Sequence, residues 1–212
     1  MYILGMFIPK HLSCPIIREA TPDDAKDIAK LQITTDSEKL CGVFKDNEEG
    51  AFEVIRQQFH KYYEGVYVLT EGDQTIGAMK LHLPGKKAGN TLSLRALIKI
   101  LGIKKGIRAM LLLSNWDEYK LHRGEAYLEF MYVAPQWQGF GGGKMLIRKA
   151  NELARQAGAK YLTLFTAAHN YRARNLYEQS GFITRRKIRS PIAKIYHTNS
   201  VWVKQTYTLI DG

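Results

Sequence analysis

The sequence predicts an α+β protein built on one mixed sheet, and two observations carry that reading. Strand-like runs over residues 66–70 and 75–83 are separated only by Glu71-Gly72-Asp73-Gln74, a hairpin that makes the pair antiparallel. Further on, an apolar run over 126–133, a helical run over 139–157 and a second apolar run over 161–166 follow in β-α-β order, which pairs those strands in parallel. Both kinds of pairing with helices on both faces give a three-layer arrangement of six to seven strands and about four helices.

The elements follow in order. Ile16, Ile17 and Arg18 make a short strand. Thr21 can cap the next helix, Pro22 suits its first position, and Asp23 and Asp24 favour the positive dipole end; the helix runs to about Ile33. Asn47 with Glu48 and Glu49 repeats the start signal, and Phe52, Ile55, Phe59 and Tyr62 keep helical spacing until near Gly65. The hairpin strands come next.

Residues 84–124 read as an insertion between the third and fourth strands, with helical stretches over 92–101 and 104–116 broken at Gly102. In the first stretch only Arg95 and Lys99 form a polar stripe, against Leu92, Leu94, Leu97, Ile98, Ile100 and Leu101. The second carries Ile107, Met110, Leu111, Leu112, Leu113 and Trp116. That much apolar surface calls for a protein neighbour, either as a lid packed on the domain or as a homodimer surface. Lys99, Lys104, Lys105 and Arg108 keep an interfacial membrane helix as the alternative. After the insertion come the 126–133 strand, a helix stopped by Gly158, the 161–166 strand, a helix over 170–179 closed by Gly181, and strands over 182–187 and 201–209. Residues 16–210 are expected to form one domain, with 1–15 as an N-terminal extension.

Composition narrows the class. With 212 residues, 45% of them hydrophobic, the chain can bury a core without disulfides or a structural metal. Its two cysteines, Cys14 and Cys41, make no metal-ligand spacing with the six histidines, so no metal is expected. No apolar run approaches a membrane span, and residues 2–8 lack a basic leader and a cleavage site, so a cytoplasmic protein without a membrane anchor is expected. The net charge of +11 concentrates in residues 84–124, at +7, and 182–212, at +5. A near-neutral body with two basic segments suits an enzyme with a basic insertion better than a nucleic-acid-binding surface.

The chemistry-bearing run is Val133-Ala134-Pro135-Gln136-Trp137-Gln138-Gly139-Phe140-Gly141-Gly142-Gly143-Lys144-Met145-Leu146. It joins a strand to a helix through glycines, which let an anion approach the backbone where the N–H groups of the first helical turn point outward. A plain helix start or tight packing turn uses the same residues. The Walker pattern fails because Met145 follows Lys144, and the glycines miss the dinucleotide spacing.

The run resembles motif A of the GNAT (GCN5-related N-acetyltransferase) superfamily, Gln/Arg-x-x-Gly-x-Gly/Ala, in Gln138-Gly139-Phe140-Gly141-Gly142-Gly143. Asn170, followed by Leu176-Tyr177-Glu178-Gln179-Ser180-Gly181-Phe182, is similar to the family's second signature, and the element order over 16–209 agrees. The 84–124 segment is longer than the family's usual link.

The resemblance implies an acetyl-CoA-dependent N-acetyltransferase acting on a primary amine in a ternary complex, with acetyl-CoA as cosubstrate in the cleft where the fourth and fifth strands part. The backbone at Met131 and Val133 would pair with pantetheine, and the diphosphate would lie over the amides from Gln138 through Gly139, Phe140, Gly141, Gly142 and Gly143 to Lys144. Gln138 would shape the turn, Asn170 would contact the pantetheine arm, and Lys144 and Arg148 would either meet phosphate or lie in solvent. Tyr177 would protonate the departing thiolate, with a buried structural phenol as the alternative, and the Val133 N–H would take the oxyanion. Glu129, four residues before Val133 and therefore on its face by strand alternation, would be the base; a structural ion pair is the alternative. A non-catalytic acyl-CoA-binding protein and a basic nucleic-acid binder are the rival readings. The acceptor is not named by these residues, although a basic insertion over the site would disfavour polycationic amines.

Overall fold

The computed structural model describes residues 14–45, 47–85, 92–114, 121–189 and 201–209; Trp116 and most of the predicted extension lie outside them. Strand β1 (Ile16–Glu19) leads through one 3₁₀ turn into α1 (Ala25–Thr35), α2 (Ser37–Phe44) and α3 (Glu48–Lys61). The hairpin β2 (Val66–Glu71) and β3 (Gln74–His82) follows, then α4 (Leu94–Leu101) and α5 (Ile103–Ser114) of the insertion. The chain continues through β4 (Glu125–Val133), α6 (Gly142–Gln156), β5 (Tyr161–Ala167), α7 (Tyr171–Gln179), β6 (Ile183–Arg189) and β7 (Val201–Thr208). The seven strands lie in the order β1-β2-β3-β4-β5-β7-β6, with β4 and β5 parallel and every other pair antiparallel.

The predicted start signals operate at both places. Thr21 donates its N–H to Asp24 Oδ2 at 2.7 Å, and both Arg18 guanidinium nitrogens reach the same carboxylate at 2.7 Å, tying β1 to the first helix. Asn47 Oδ1 accepts the Gly50 N–H at 3.0 Å to open α3. Helix α2 has no counterpart in the sequence reading. Its eight residues are too short for periodicity to register, and it is held by packing against α3 and α5.

Each face of the sheet has its own core. Ile28, Val54, Phe59, Val68, Ala78 and Leu97 belong to the cluster under α1 to α5. Leu69, Met79, Leu128, Leu146, Leu164 and Tyr177 belong to the cluster under α6 and α7. The insertion extends the first layer, because α4 packs on α3 and α5 on α2. Leu97, Leu101, Ala109 and Leu112 turn inward, whereas Leu94, Ile103, Ile107 and Leu111 stay exposed. Ala96, Ile100, Met110 and Leu113 are half-buried against the same core, so the domain itself covers most of the apolar excess. No helix among the described residues is long and apolar enough to cross a membrane.

Candidate active site

The site begins where β4 leaves β5. Their register runs from Glu125↔Tyr161 to Leu128↔Leu164 and stops, although β4 continues to Val133 along β3 and β5 to Ala167 along β7. The strands part as a V. The Ala134 N–H donates to Ile76 O at 2.9 Å, which makes Gly77/Val133 a wide pair of the ladder. By the alternation of such ladders, the peptide groups of Val133 and Met131 point away from β3 into the opening.

At the mouth of the V, a 3₁₀ turn over Pro135–Trp137 and the glycine run lead into α6. The helix begins three residues later than the sequence pattern suggests, because Gly139 and Gly141 take φ of +93° and +90°, outside the helical region. A Cβ at either would meet nothing within 4 Å, so open space lies over the turn. The N–H groups from Gly139 to Lys144 have no acceptor among the described residues; Met145 is the first to find one, Gly141 O at 3.0 Å. A consecutive run of unpartnered amides at the start of a 15-residue helix has the donors and the positive dipole end that suit an anion. Gln138 Nε2 donates to Val133 O at 2.9 Å, so this side chain closes the turn. Phe140 is 80% exposed, and Lys144 and Arg148 are exposed one helical turn apart.

Helix α7 lies beside this turn, and Leu176 packs within reach of Gly143. Asn170 caps α7, its Oδ1 accepting the Ala173 N–H at 3.0 Å, which leaves its amide protons for another partner. Tyr177 is buried, no partner to its hydroxyl is found among the described residues, and burial pushes the phenol well above its ordinary pKa. On the same face, Thr166 Oγ1 and the amide of Gln205 are buried without partners. Orphaned polar atoms beside the opening fit an extended ligand that carries amides of its own.

Glu129 does not share a face with Val133. A β-bulge between Lys80 and Leu81 sets Glu129 and Phe130 together against Lys80, so alternation slips by one residue. Val133 packs with the α6 side, whereas the Glu129 carboxylate turns to the other face. There Glu129 Oε2 lies 3.1 Å from Nζ of Lys80, only 1% exposed, and 2.5 Å from His82 Nε2. Burial alone would raise the Glu129 carboxyl, but the His82 hydrogen bond and the Lys80 ammonium outweigh it and hold the pKa at about 2. Nearby, the buried Tyr132 hydroxyl donates to Asp36 Oδ2 at 3.2 Å; burial first, and the Asp36 charge second, raise its pKa well above the usual value. Lys80, His82 and Tyr132 are absent from the sequence reading. The one signal was Lys80 itself, a cation inside an apolar strand, which needs a partner that only the sheet register reveals.

A strand pair that parts beside a glycine-rich helix start is the frame in which the comparisons with known proteins fall. The model described as "Acetyltransferase (GNAT) family" matches residues 31–182, and the chain belongs to that family. It is 46% identical over 55 residues to the uncharacterized N-acetyltransferase YhfO of Bacillus subtilis (strain 168), a match covering 26% of this chain and 37% of that protein. The chain thus aligns with little more than a third of that curated relative. Among solved structures, an N-acetyltransferase from Staphylococcus aureus Mu50 superposes with a TM-score of 0.67 at 19% identity, over 90% of this chain and 99% of that one. The PaiA N-acetyltransferase from Thermoplasma acidophilum, solved in complex with coenzyme A, superposes at 0.58 with 12% identity, over 92% and 100%. At these identities the likeness concerns the fold.

Proposed function

We propose that this chain, with residues 16–210 as its catalytic unit, is an acetyl-CoA-dependent N-acetyltransferase that moves the acetyl group directly to a primary amine in a ternary complex. The observation that carries the reading is the unpartnered amide run from Gly139 to Lys144 opening onto a strand edge that β5 has left. Diphosphate on those amides places a pantetheine arm along Met131 and Val133, where an extended chain of amides finds free peptide groups. Family membership and the coenzyme A complex of a protein with the same fold support this placement.

The chain's residues then divide the work. The Val133 N–H, aimed into the opening, donates to the carbonyl oxygen of the thioester as that oxygen gains charge. Tyr177, neutral because it is buried, offers its proton to the departing sulfur. Asn170 keeps its amide protons for the arm, and Gln138 holds the turn closed. Glu129 supplies the negative charge beside which the amine loses its proton.

Isothermal calorimetry with CoA, followed by thiol release from acetyl-CoA over a screen of primary amines, tests the reading. Micromolar-range binding and saturable, amine-dependent release are expected. No heat at millimolar CoA would overturn it.

A further inference from the structure

Three titratable side chains meet on the sheet face turned away from α6 and α7. Glu129 is the first residue of β4 beyond its last pair with β5, so the cluster of Lys80, His82 and Glu129 stands at the apex of the opening. We propose that His82 takes the proton of the acceptor amine and that Glu129 is the positioning residue that holds its ring. The proposal rests on the acetyl-transfer reading above and deepens it.

A carboxylate at 2.5 Å from Nε2 keeps the neutral imidazole in its Nε2–H tautomer, which leaves the lone pair on Nδ1 as the proton acceptor. Among the described residues no group donates to Nδ1. The ring plane is fixed as well: His82 stacks on Tyr127 at 5.7 Å and 26°, and Tyr127 meets Phe165 of β5 edge-on at 5.9 Å. Glu129 is already engaged by two cationic or potentially cationic neighbours and held at about 2, too weak a base for an alkylammonium. The glycine turn and Tyr177 lie on the opposite face, so the thioester is reached from one side of the sheet and the amine is deprotonated on the other. The charged and titratable neighbours of the ring are Lys80 on its own strand and Tyr127 and Glu129 on β4. A cavity of about 370 Å³ that His82 helps to line adds Glu19, Tyr63, Glu64 and Tyr67, and the carboxylates of Glu19 and Glu64 favour an approaching ammonium.

The protons balance. An R–NH3+ acceptor gives one proton to Nδ1 and attacks as R–NH2; the C–N bond forms and the C–S bond breaks. The second amine proton reaches the thiolate through the Tyr177 hydroxyl, and the imidazolium returns the first to water.

The test uses the full chain, acetyl-CoA and two amines at pH 7: phenethylamine, which arrives protonated, and trifluoroethylamine, which arrives largely neutral. His82→Ala should lower turnover with phenethylamine by about 100-fold and with trifluoroethylamine by only a few-fold, and added imidazole should restore part of the loss. His82→Gln, which keeps a donor toward Glu129, should show the same split, and CoA binding by both variants checks that they fold. In the wild type, long-range 15N NMR of the His82 ring should report the Nε2–H tautomer, and Glu129→Gln should abolish that preference. Equal losses with both amines, or the Nδ1–H tautomer, would refute the role of His82. A wild-type chain that releases no thiol with either amine would instead refute the acetyl-transfer reading.

Discussion

The two halves of β4 differ in what borders them. Residues 125–128 are all paired with β5, and Tyr127 and Leu128 with β3 as well, whereas beyond the bulged Glu129 residues 130–133 are paired with β3 alone. Each half carries a glutamate. Glu125, buried in the closed half, accepts the His122 N–H at 3.0 Å and the Lys204 ammonium at 3.2 Å, joining β4 to β7 across β5. Glu129, at the start of the open half, meets Lys80 and His82 beside a gap that β5 has left. The same side chain on one strand is a tie across the sheet in one half and part of a charged cluster at the edge of the opening in the other, because only beside the open half has β5 turned away.

The comparison breaks most visibly at the mouth of the open half. Gly141→Asp should abolish CoA binding, since a carboxylate about 4 Å from a phosphate costs about 4 kcal/mol at an effective dielectric near 20, roughly 1000-fold in affinity. Gly141→Ala suffers the same backbone strain at φ +90° without the charge, so calorimetry on the pair isolates the electrostatic part. Equal losses in both would mean that the turn is structural.

Tyr177→Phe comes next. Turnover should fall by roughly 10- to 1000-fold with CoA affinity nearly unchanged, as expected of a group that acts on the leaving sulfur. Because burial keeps the phenol neutral, no alkaline loss of rate from Tyr177 is expected below about pH 10, and a pH–rate profile checks this.

The closed half should respond in stability. Glu125→Ala leaves the largely buried Lys204 ammonium without that carboxylate and should cost about 3 kcal/mol in urea unfolding while sparing CoA affinity. Gln138→Ala should do the reverse, weakening CoA by about 1 kcal/mol through a looser turn with little change in the unfolding midpoint. Should Glu125→Ala weaken CoA as much as it lowers stability, the division between the halves would fail.

The smallest effect is an acid dependence. Glu129 titrates at about 2 in the folded chain against 4.5 in the unfolded one, so the unfolded state binds more protons between those values. The stability it contributes is complete above about pH 5 and is lost as pH falls toward 2. Urea midpoints over that range should therefore fall less steeply for Glu129→Gln than for the wild type.

What the sequence determined by itself is whatever depends on neighbours along the chain. Thr21 with Asp24 and Asn47 with Gly50 are caps within one turn, the 71–74 hairpin needs only its own residues, and the glycines from 139 to 143 state their backbone freedom directly. The order of the main strands and helices and the glycine turn before α6 were legible for that reason. Tertiary structure decided the rest. Helix α2 exists because α3 and α5 give its few residues a surface, and of the insertion's described apolar side chains Leu94, Ile103, Ile107 and Leu111 found no cover. The bulge at Glu129 is a property of the β3–β4 register, and one extra residue there sent its carboxylate to the face opposite Val133. Lys80 and His82 reach that carboxylate from 49 and 47 positions away along the chain, a separation that no local pattern spans and that the sheet closes to hydrogen-bond distance.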